Sequence, residues 1–260
     1  MSYIDNRQSY DSAGAPTPLL ALKIFGYAFL AGIMALFMSF SINMITQSAL
    51  QEPTAVIINT IEADNSVTKE TFTIEEYTAK QAEIQKILTD DTRKSAEYVY
   101  TPKNAACAVL VVAVDVIEQL LTLALLVVLT GYYVYREGDR DRNLFKHHDR
   151  KPTPYKGLVI GLLAGIPSCI VYALLIVGKC GVMSETVQGL YRGLNPTFLT
   201  LINVIMPSDV YPATNIAVWQ LVLLALPLAV LPLTCHEAYR LGYNRFFKRL
   251  KKKRDAKKTA

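Results

Sequence analysis

Apolar residues collect into four long runs, and most of the charged residues lie between them. The runs are Ile24–Ile45, Ala105–Tyr135, Gly157–Val177 and Ile216–Leu233. A helix needs about 20 apolar residues to cross a hydrocarbon core about 30 Å thick. The pattern therefore predicts an all-α multi-pass membrane protein. Its four predicted transmembrane helices cover residues 19–45, 105–135, 157–178 and 216–234.

The charges between the runs are distributed unevenly and predict an orientation. Residues 136–156 and the tail 235–260 are rich in Lys and Arg, whereas residues 46–104 hold more acidic than basic residues. Basic loops stay on the cytoplasmic side of a membrane. Both termini, including a flexible lead over residues 1–18, are therefore expected in the cytoplasm, and 46–104 outside. The expected location is the plasma membrane, and the lack of an Asn-x-Ser/Thr acceptor favours a bacterial source.

Residues 46–104 form a small α+β or helical extracytoplasmic segment in this interpretation. Two short strands are predicted on either side of the turn Ala63–Ser66, followed by a helix that continues to Tyr98. Thr73 and Glu76 have the spacing of a capping box at the start of that helix. This segment is the expected binding site for a protein partner.

Small residues and prolines mark the third and fourth helices. Gly157, Gly161 and Gly165 leave one helix face without side chains, so that another helix can approach closely. The pattern is explained either by close packing within the helix bundle or by homodimerisation through the glycine face. Pro167 predicts a bend in the third helix, and the fourth contains two further prolines.

The segment 179–215 is predicted to be an outer loop with a short helix. Thr197–Met206 is apolar but too short to cross the bilayer, which indicates a re-entrant or interfacial helix. Asn195 is expected to cap it, and Pro196 suits its first position.

The C-terminal tail is predicted to be an amphipathic helix at the inner membrane surface. Its aromatic residues, which begin at Tyr239 and Tyr243, recur at helical spacing with cations between them. Such a helix places its aromatic face in the bilayer and its cations against anionic lipid headgroups. Nucleic acid is the alternative partner for a basic run, but the position next to a span favours lipid. The lipid-facing cations are Arg245, Lys248, Arg249, Lys251, Lys252 and Lys253.

Two carboxylates interrupt the second apolar run. Asp115 and Glu118 share one helix face with Gln119 and Thr122. Placing an acidic side chain at the centre of the bilayer costs about 2.5–3.5 kcal/mol of insertion free energy. Such a side chain is therefore expected to face the helix bundle or a water-filled cavity. A polar pocket is therefore expected here, with Lys179 as counter-ion and Asn43 nearby. These groups either satisfy one another structurally or bind a ligand, cation or proton.

The sequence contains no recognisable catalytic motif, cofactor motif or metal-ligand cluster. The four cysteines include Cys107 and Cys180 at the outer ends of two helices, where a disulfide and simple packing are both compatible with the pattern. The predicted function is a non-enzymatic scaffold, sensor or accessory subunit that binds a partner outside the cell. The alternative is a small oligomeric transporter or channel-like protein that uses Asp115 and Glu118 for a cation or proton.

Overall fold

The computed structural model describes residues 17–61, 67–81, 84, 94–148, 155–182, 186–207 and 213–245. These residues are mostly helical, with one small sheet. The elements, in chain order, are α1 (Thr17–Leu50), β1 (Gln51–Ile61), β2 (Val67–Thr73), α2 (Ile74–Ala79), β3 (Lys94–Pro102), α3 (Ala105–His148), α4 (Lys156–Ala164), α5 (Ile166–Lys179), α6 (Thr186–Leu194), a 3₁₀ helix (Pro196–Phe198), α7 (Leu199–Ile205), a second 3₁₀ helix (Ala213–Asn215), α8 (Val218–Leu224) and α9 (Leu226–Tyr243).

Three helices in this part of the chain are long and apolar enough to cross a membrane. They are α1, α3 and the stretch Val218–Tyr243, which comprises α8 and α9. The pair α4–α5 also has the composition of a span, but it is bent by 52° at Gly165. Large apolar side chains are exposed along α1 and α3, for example Phe37 and Val128. Such surfaces are compatible with lipid contact.

The predicted loop 136–156 is wrong in its first part, because α3 continues as a helix to His148. The charged residues of this extension have packing partners, which explains why it is ordered as helix. Asp141 accepts from Lys156 at 2.6 Å, and Asp139 pairs with Arg245 at 2.7 Å. Two acidic residues of the extension, Asp139 and Asp141, thus bind bases from outside α3. The stretch is therefore not the free basic loop that its composition had suggested.

Residues 1–38 with 118–260 form one compact unit, and residues 39–117 form a second. In the first unit, α4 packs closely on α9 because the glycines of α4 leave room. A Cβ added to Gly157 would lie 2.5 Å from Tyr239 Cβ, and one added to Gly161 would lie 2.6 Å from Pro232 Cα. The structure therefore uses two of the three predicted glycines for packing within the chain, and the third, Gly165, lies at the bend expected from Pro167.

The second unit contains a three-stranded antiparallel sheet with strand order β2–β1–β3. Val56 of β1 is paired with Phe72 on one side and Tyr98 on the other. Val56, Ile58, Tyr77 and Ile84 form its small core. The first two predicted strands are present, but the end of the predicted helix is wrong, because Lys94–Pro102 is a strand. The alternation in "SAEYVYT" carries that signal, and its tyrosines and valine favour a strand.

The predicted capping box at the start of α2 is confirmed. The backbone N–H of Glu76 donates to Thr73 Oγ1 at 3.3 Å, and the backbone N–H of Thr73 donates to Glu76 Oε2 at 3.1 Å. The bond from the Thr73 backbone, and then that from its side chain, hold the pKa of the Glu76 carboxyl below its ordinary value of 4.5.

We expect Glu76→Gln to lower the melting temperature of the whole protein at pH 7 but not in acid. A lowered pKa means that the ionised carboxylate stabilises the fold fully above pH 4.5, and that this contribution disappears as the pH falls through the lowered value. The difference in melting temperature between the two proteins in detergent should therefore shrink below pH 4.5. Glu75→Gln is the control and should show no such trend. A pH-independent difference for Glu76→Gln would contradict this explanation.

Candidate functional site

A helical hairpin inserted among the helices of the first unit forms the centre of the candidate site. It consists of α6, a turn at Asn195, the 3₁₀ helix and α7. Its turn packs against the middle of α1, where a Cβ on Gly32 would lie 2.6 Å from Pro196 Cγ. The short helix predicted at Thr197–Met206 is thus present as Pro196–Ile205, but α6 before it was not predicted.

The turn of the hairpin differs from the predicted cap. Pro196 occupies the first helical position as expected, but Asn195 makes no side-chain capping bond. Its Nδ2 instead donates to the backbone carbonyl of Tyr191 at 3.0 Å, at the end of α6. The side chain therefore closes the preceding helix rather than opening the following one, because the C-terminal carbonyls of α6 lack helical partners.

Gln119 of α3 binds the backbone of this hairpin with both ends of its amide. Its Nε2 donates to the carbonyl of Thr197 at 3.0 Å, and its Oε1 accepts from the N–H of Leu201 at 3.0 Å. Both backbone groups lie near the start of α7, where the first N–H groups of a helix have no intrahelical acceptor. Gln119 thus supplies a partner that the helix itself cannot provide. We call these two bonds the Gln119 clamp.

Glu118 reinforces the same contact from the adjacent position. Its side chain is 2% exposed, and its Oε1 accepts from Thr200 Oγ1 at 2.8 Å. The place where a polar pocket was expected is therefore filled by residues 197–201 of the hairpin. The prediction that Glu118 lies away from lipid is confirmed by its burial.

Three further residues were predicted to belong to the pocket, namely Asp115, Asn43 and Lys179. Asp115 is half-buried on α3, and Asn43 is exposed on α1. Lys179 does not serve as a counter-ion, since its ammonium group donates to the backbone carbonyl of Ile216. That carbonyl lies in the irregular segment before α8, where the ammonium group replaces a helical donor.

The break between α8 and α9 exposes two carbonyl groups, and two tyrosines bind them. Around Ala225 the backbone tightens to 3₁₀ bonds, so that the carbonyls of Leu221 and Leu224 lose their usual donors. Tyr172 Oη donates to Leu221 at 2.8 Å, and Tyr191 Oη donates to Leu224 at 2.5 Å. Non-helical backbone inside a bundle requires such partners.

Gln220 joins α8 to the hairpin, and like Gln119 it binds backbone groups through both ends of its side-chain amide. Its Oε1 accepts from the backbone N–H of Ala217 at 2.7 Å, and its Nε2 donates to the carbonyl of Ile205 at 2.7 Å. Arg192 donates to the carbonyl of Met206 at 2.6 Å. The hairpin is therefore held near its turn by Gln119 and at its C-terminal end by Gln220, and the bond from Arg192 joins its two halves.

The predicted lipid-facing tail lies mostly outside the described residues. Arg245 is described and pairs with Asp139 at 2.7 Å. Tyr239, placed on the aromatic lipid face by the sequence pattern, is buried instead and donates to Asp141 at 2.8 Å. Because Gly157 has no side chain, it leaves room for the side chain of Tyr239. The five predicted cations beyond the described residues are Lys248, Arg249, Lys251, Lys252 and Lys253.

Sequence reasoning missed Tyr191, Thr197 and Thr200 as structural determinants. A signal for the hairpin was present, because Val187 and Tyr191 are one turn apart and both are buried in α6. The segment is short and contains Gln188 and Arg192, so it has no long apolar run. Thr197 and Thr200 act through backbone and hydroxyl groups whose partners are far away in the sequence.

Within the described ranges, no group of three or more His, Cys, Asp or Glu residues is placed to hold a metal ion. The cysteines, including Cys107 and Cys180, are free thiols. The polar groups around the hairpin mostly bind backbone atoms, an arrangement that positions the hairpin within the first unit. Comparisons with protein-family models, with curated proteins and with solved structures found no match to this chain.

Proposed function

We propose that the protein is a non-enzymatic scaffold or accessory subunit of a bacterial plasma membrane, with four spans and both termini in the cytoplasm. The bent pair α4–α5 is the fourth span in this proposal, and the sheet lies outside the cell. The charge asymmetry along the sequence supports this orientation. The basic tail is proposed to contact anionic lipid headgroups.

The observation that carries a partner-binding role is an aromatic patch on an edge strand. In the three-stranded sheet, β3 is at one edge. Tyr98 of β3 is 46% exposed, and its ring lies 5.9 Å from that of Tyr77 and 6.4 Å from that of Tyr100. Tyrosine is enriched in protein interfaces. An edge strand also presents unpaired backbone N–H and C=O groups to a partner.

Site-specific photo-cross-linking in intact cells tests this role. A benzoylphenylalanine at position 98 should give an adduct of one defined mass, whereas the same residue at Thr71 should not. Thr71 lies on β2 and is paired with Ile57, so it is on the opposite face of the sheet from Tyr98. An adduct near twice 28.9 kDa identifies a second copy of the chain, and any other defined mass identifies another partner. No adduct from position 98, or equal adducts from both positions, would contradict the proposal.

A second candidate function is that of a small oligomeric transporter or channel. The observation that favours it is a re-entrant hairpin packed beside two broken helices in one unit, an arrangement found around ion and substrate sites of transporters. In this proposal Asp115 and Glu118 bind a cation or proton. Asp115→Asn with Glu118→Gln should then abolish pH-dependent flux in liposomes while the protein remains folded. If the unmodified protein shows no flux, this candidate is excluded.

A further inference from the structure

A crevice of about 640 Å³, its open mouth included, lies where the hairpin meets the two helix breaks of the first unit. The bend at Gly165 and the break at Pro227 form its far side, and the turn of the hairpin forms its floor. Phe25 and Phe29 of α1 line its near side. The crevice is separate from the Glu118–Thr200 contact and from the tyrosine patch on the sheet.

Three polar groups that line this crevice have no hydrogen-bond partner among the described residues. They are the hydroxyls of Ser168 and Thr197 and the Oδ1 atom of Asn195. The bonds of Asn195 and Thr197 described above use the Asn195 amide nitrogen and the Thr197 backbone carbonyl instead. None of the three atoms is among the fully enclosed ones, so they remain accessible from the crevice. All three belong to residues that line it, and a ligand there can therefore hydrogen-bond to them.

The chemistry of the lining restricts the ligand. Among the residues that the structure describes, no Lys, Arg, Asp or Glu lines the crevice, so a charged ligand would lose its hydration without gaining a counter-ion. Asn195 Oδ1 only accepts hydrogen bonds, whereas the two hydroxyls both donate and accept. A hydroxyl group on the ligand satisfies both requirements. The remaining walls are apolar, including Phe25, Leu126 and Leu231.

The mouth of the crevice indicates where the ligand comes from. Phe29 is 55% exposed and Leu194 is 36% exposed at its edge. Phe29 lies near the middle of α1, so in the proposed membrane arrangement this edge faces the hydrocarbon layer. We propose that the crevice binds an uncharged amphiphile with a terminal hydroxyl, which enters sideways from the bilayer. This inference rests on the proposed membrane placement, but not on partner binding or transport.

Photolabelling of the purified full-length protein in phosphatidylcholine nanodiscs tests the proposal. The probes are a diazirine-bearing fatty alcohol and the fatty acid of the same chain, used at about pH 9, where the acid is ionised. The alcohol should label peptides containing Phe25–Phe29 and Gly193–Phe198 about tenfold more than the acid does, since a tenfold preference corresponds to about 1.4 kcal/mol. Excess unlabelled alcohol should displace the label.

A double variant, Ser168→Ala with Thr197→Val, should reduce this labelling about tenfold. Thr234→Val on α9 is the matched control, because Thr234 does not line the crevice, and it should leave the labelling unchanged. Three results would overturn the proposal and indicate that water alone fills the crevice. They are equal labelling by alcohol and acid, labelling that excess alcohol does not displace, and labelling no stronger than that of the exposed face of α3. The comparison of the two probes on the unmodified protein decides the matter even if the double variant fails to fold. Sidedness in whole cells is measured separately, so a failure of the membrane placement is distinguishable.

Discussion

Gly242→Ala should be among the most disruptive single-methyl changes in this protein. A Cβ at position 242 would overlap the backbone carbonyl oxygen of Tyr135, so α3 and α9 would have to move apart. Overpacking costs about 1–3 kcal/mol, and more when the obstacle is backbone. We expect a loss of about 3 kcal/mol, seen as a lower yield of folded protein and a lower melting temperature in detergent.

The matched controls for this change are two other glycines. Gly138 faces the backbone of Tyr239 in the same interface, so Gly138→Ala should be comparably harmful. Gly26 lies on α1 with nothing within 4 Å of an added Cβ. Gly26→Ala should be neutral or slightly stabilising, because alanine favours helix by about 1 kcal/mol over glycine. If Gly242→Ala and Gly26→Ala had equal effects, the close approach of α3 and α9 would be wrong.

Gln119→Leu should loosen the hairpin formed by α6 and α7. The change leaves the carbonyl of Thr197 and the N–H of Leu201 without their side-chain partner. Each buried group left unpaired costs about 1–3 kcal/mol, so the two groups together should cost about 2–6 kcal/mol. Hydrogen exchange should accelerate across 199–205 in particular, since these amides lie in the element that loses its anchor.

Thr130→Val is the control for the Gln119 clamp. Thr130 is buried on the same helix, but its hydroxyl donates only to the carbonyl of Leu126, one turn earlier in α3. The variant should therefore leave exchange over 199–205 unchanged. If Gln119→Leu did not accelerate that exchange more than Thr130→Val does, the two bonds from Gln119 would not be what holds the hairpin.

The long apolar segments of this fold were predictable from the sequence, because each contains a run of about 20 or more mostly apolar residues, enough to cross the hydrocarbon core of a bilayer. The bend near Pro167 and the packing role of Gly157 and Gly161 followed from equally local chemistry, namely a missing N–H and missing side chains. The capping box of Thr73 and Glu76 was predictable for the same reason. In each case the signal lies within a few residues of its structural effect.

The hairpin and its contacts were not predictable in this way. Gln119 binds residues near position 200, and nothing near Gln119 in the sequence identifies that partner. The same face was interpreted as a polar pocket, because a pattern that shows polar residues inside a span does not show whether water, a ligand or the chain itself satisfies them. The extension of α3 beyond Tyr135 was missed because its basic composition was interpreted as a loop, whereas its acids Asp139 and Asp141 pair with bases from outside the helix.

We propose that the hairpin enters the membrane from the outer side only, and both proposed functions depend on this orientation. It is tested most directly by labelling single cysteines with a membrane-impermeant maleimide in intact cells. Three variants are needed: one that keeps only Cys180, before the hairpin, one with only Pro207→Cys, after it, and one with only Ala260→Cys. We predict that the first two are labelled in intact cells and that the third is labelled only after lysis. Labelling of Cys180 and Pro207→Cys from opposite sides, or labelling of Ala260→Cys in intact cells, would contradict the account.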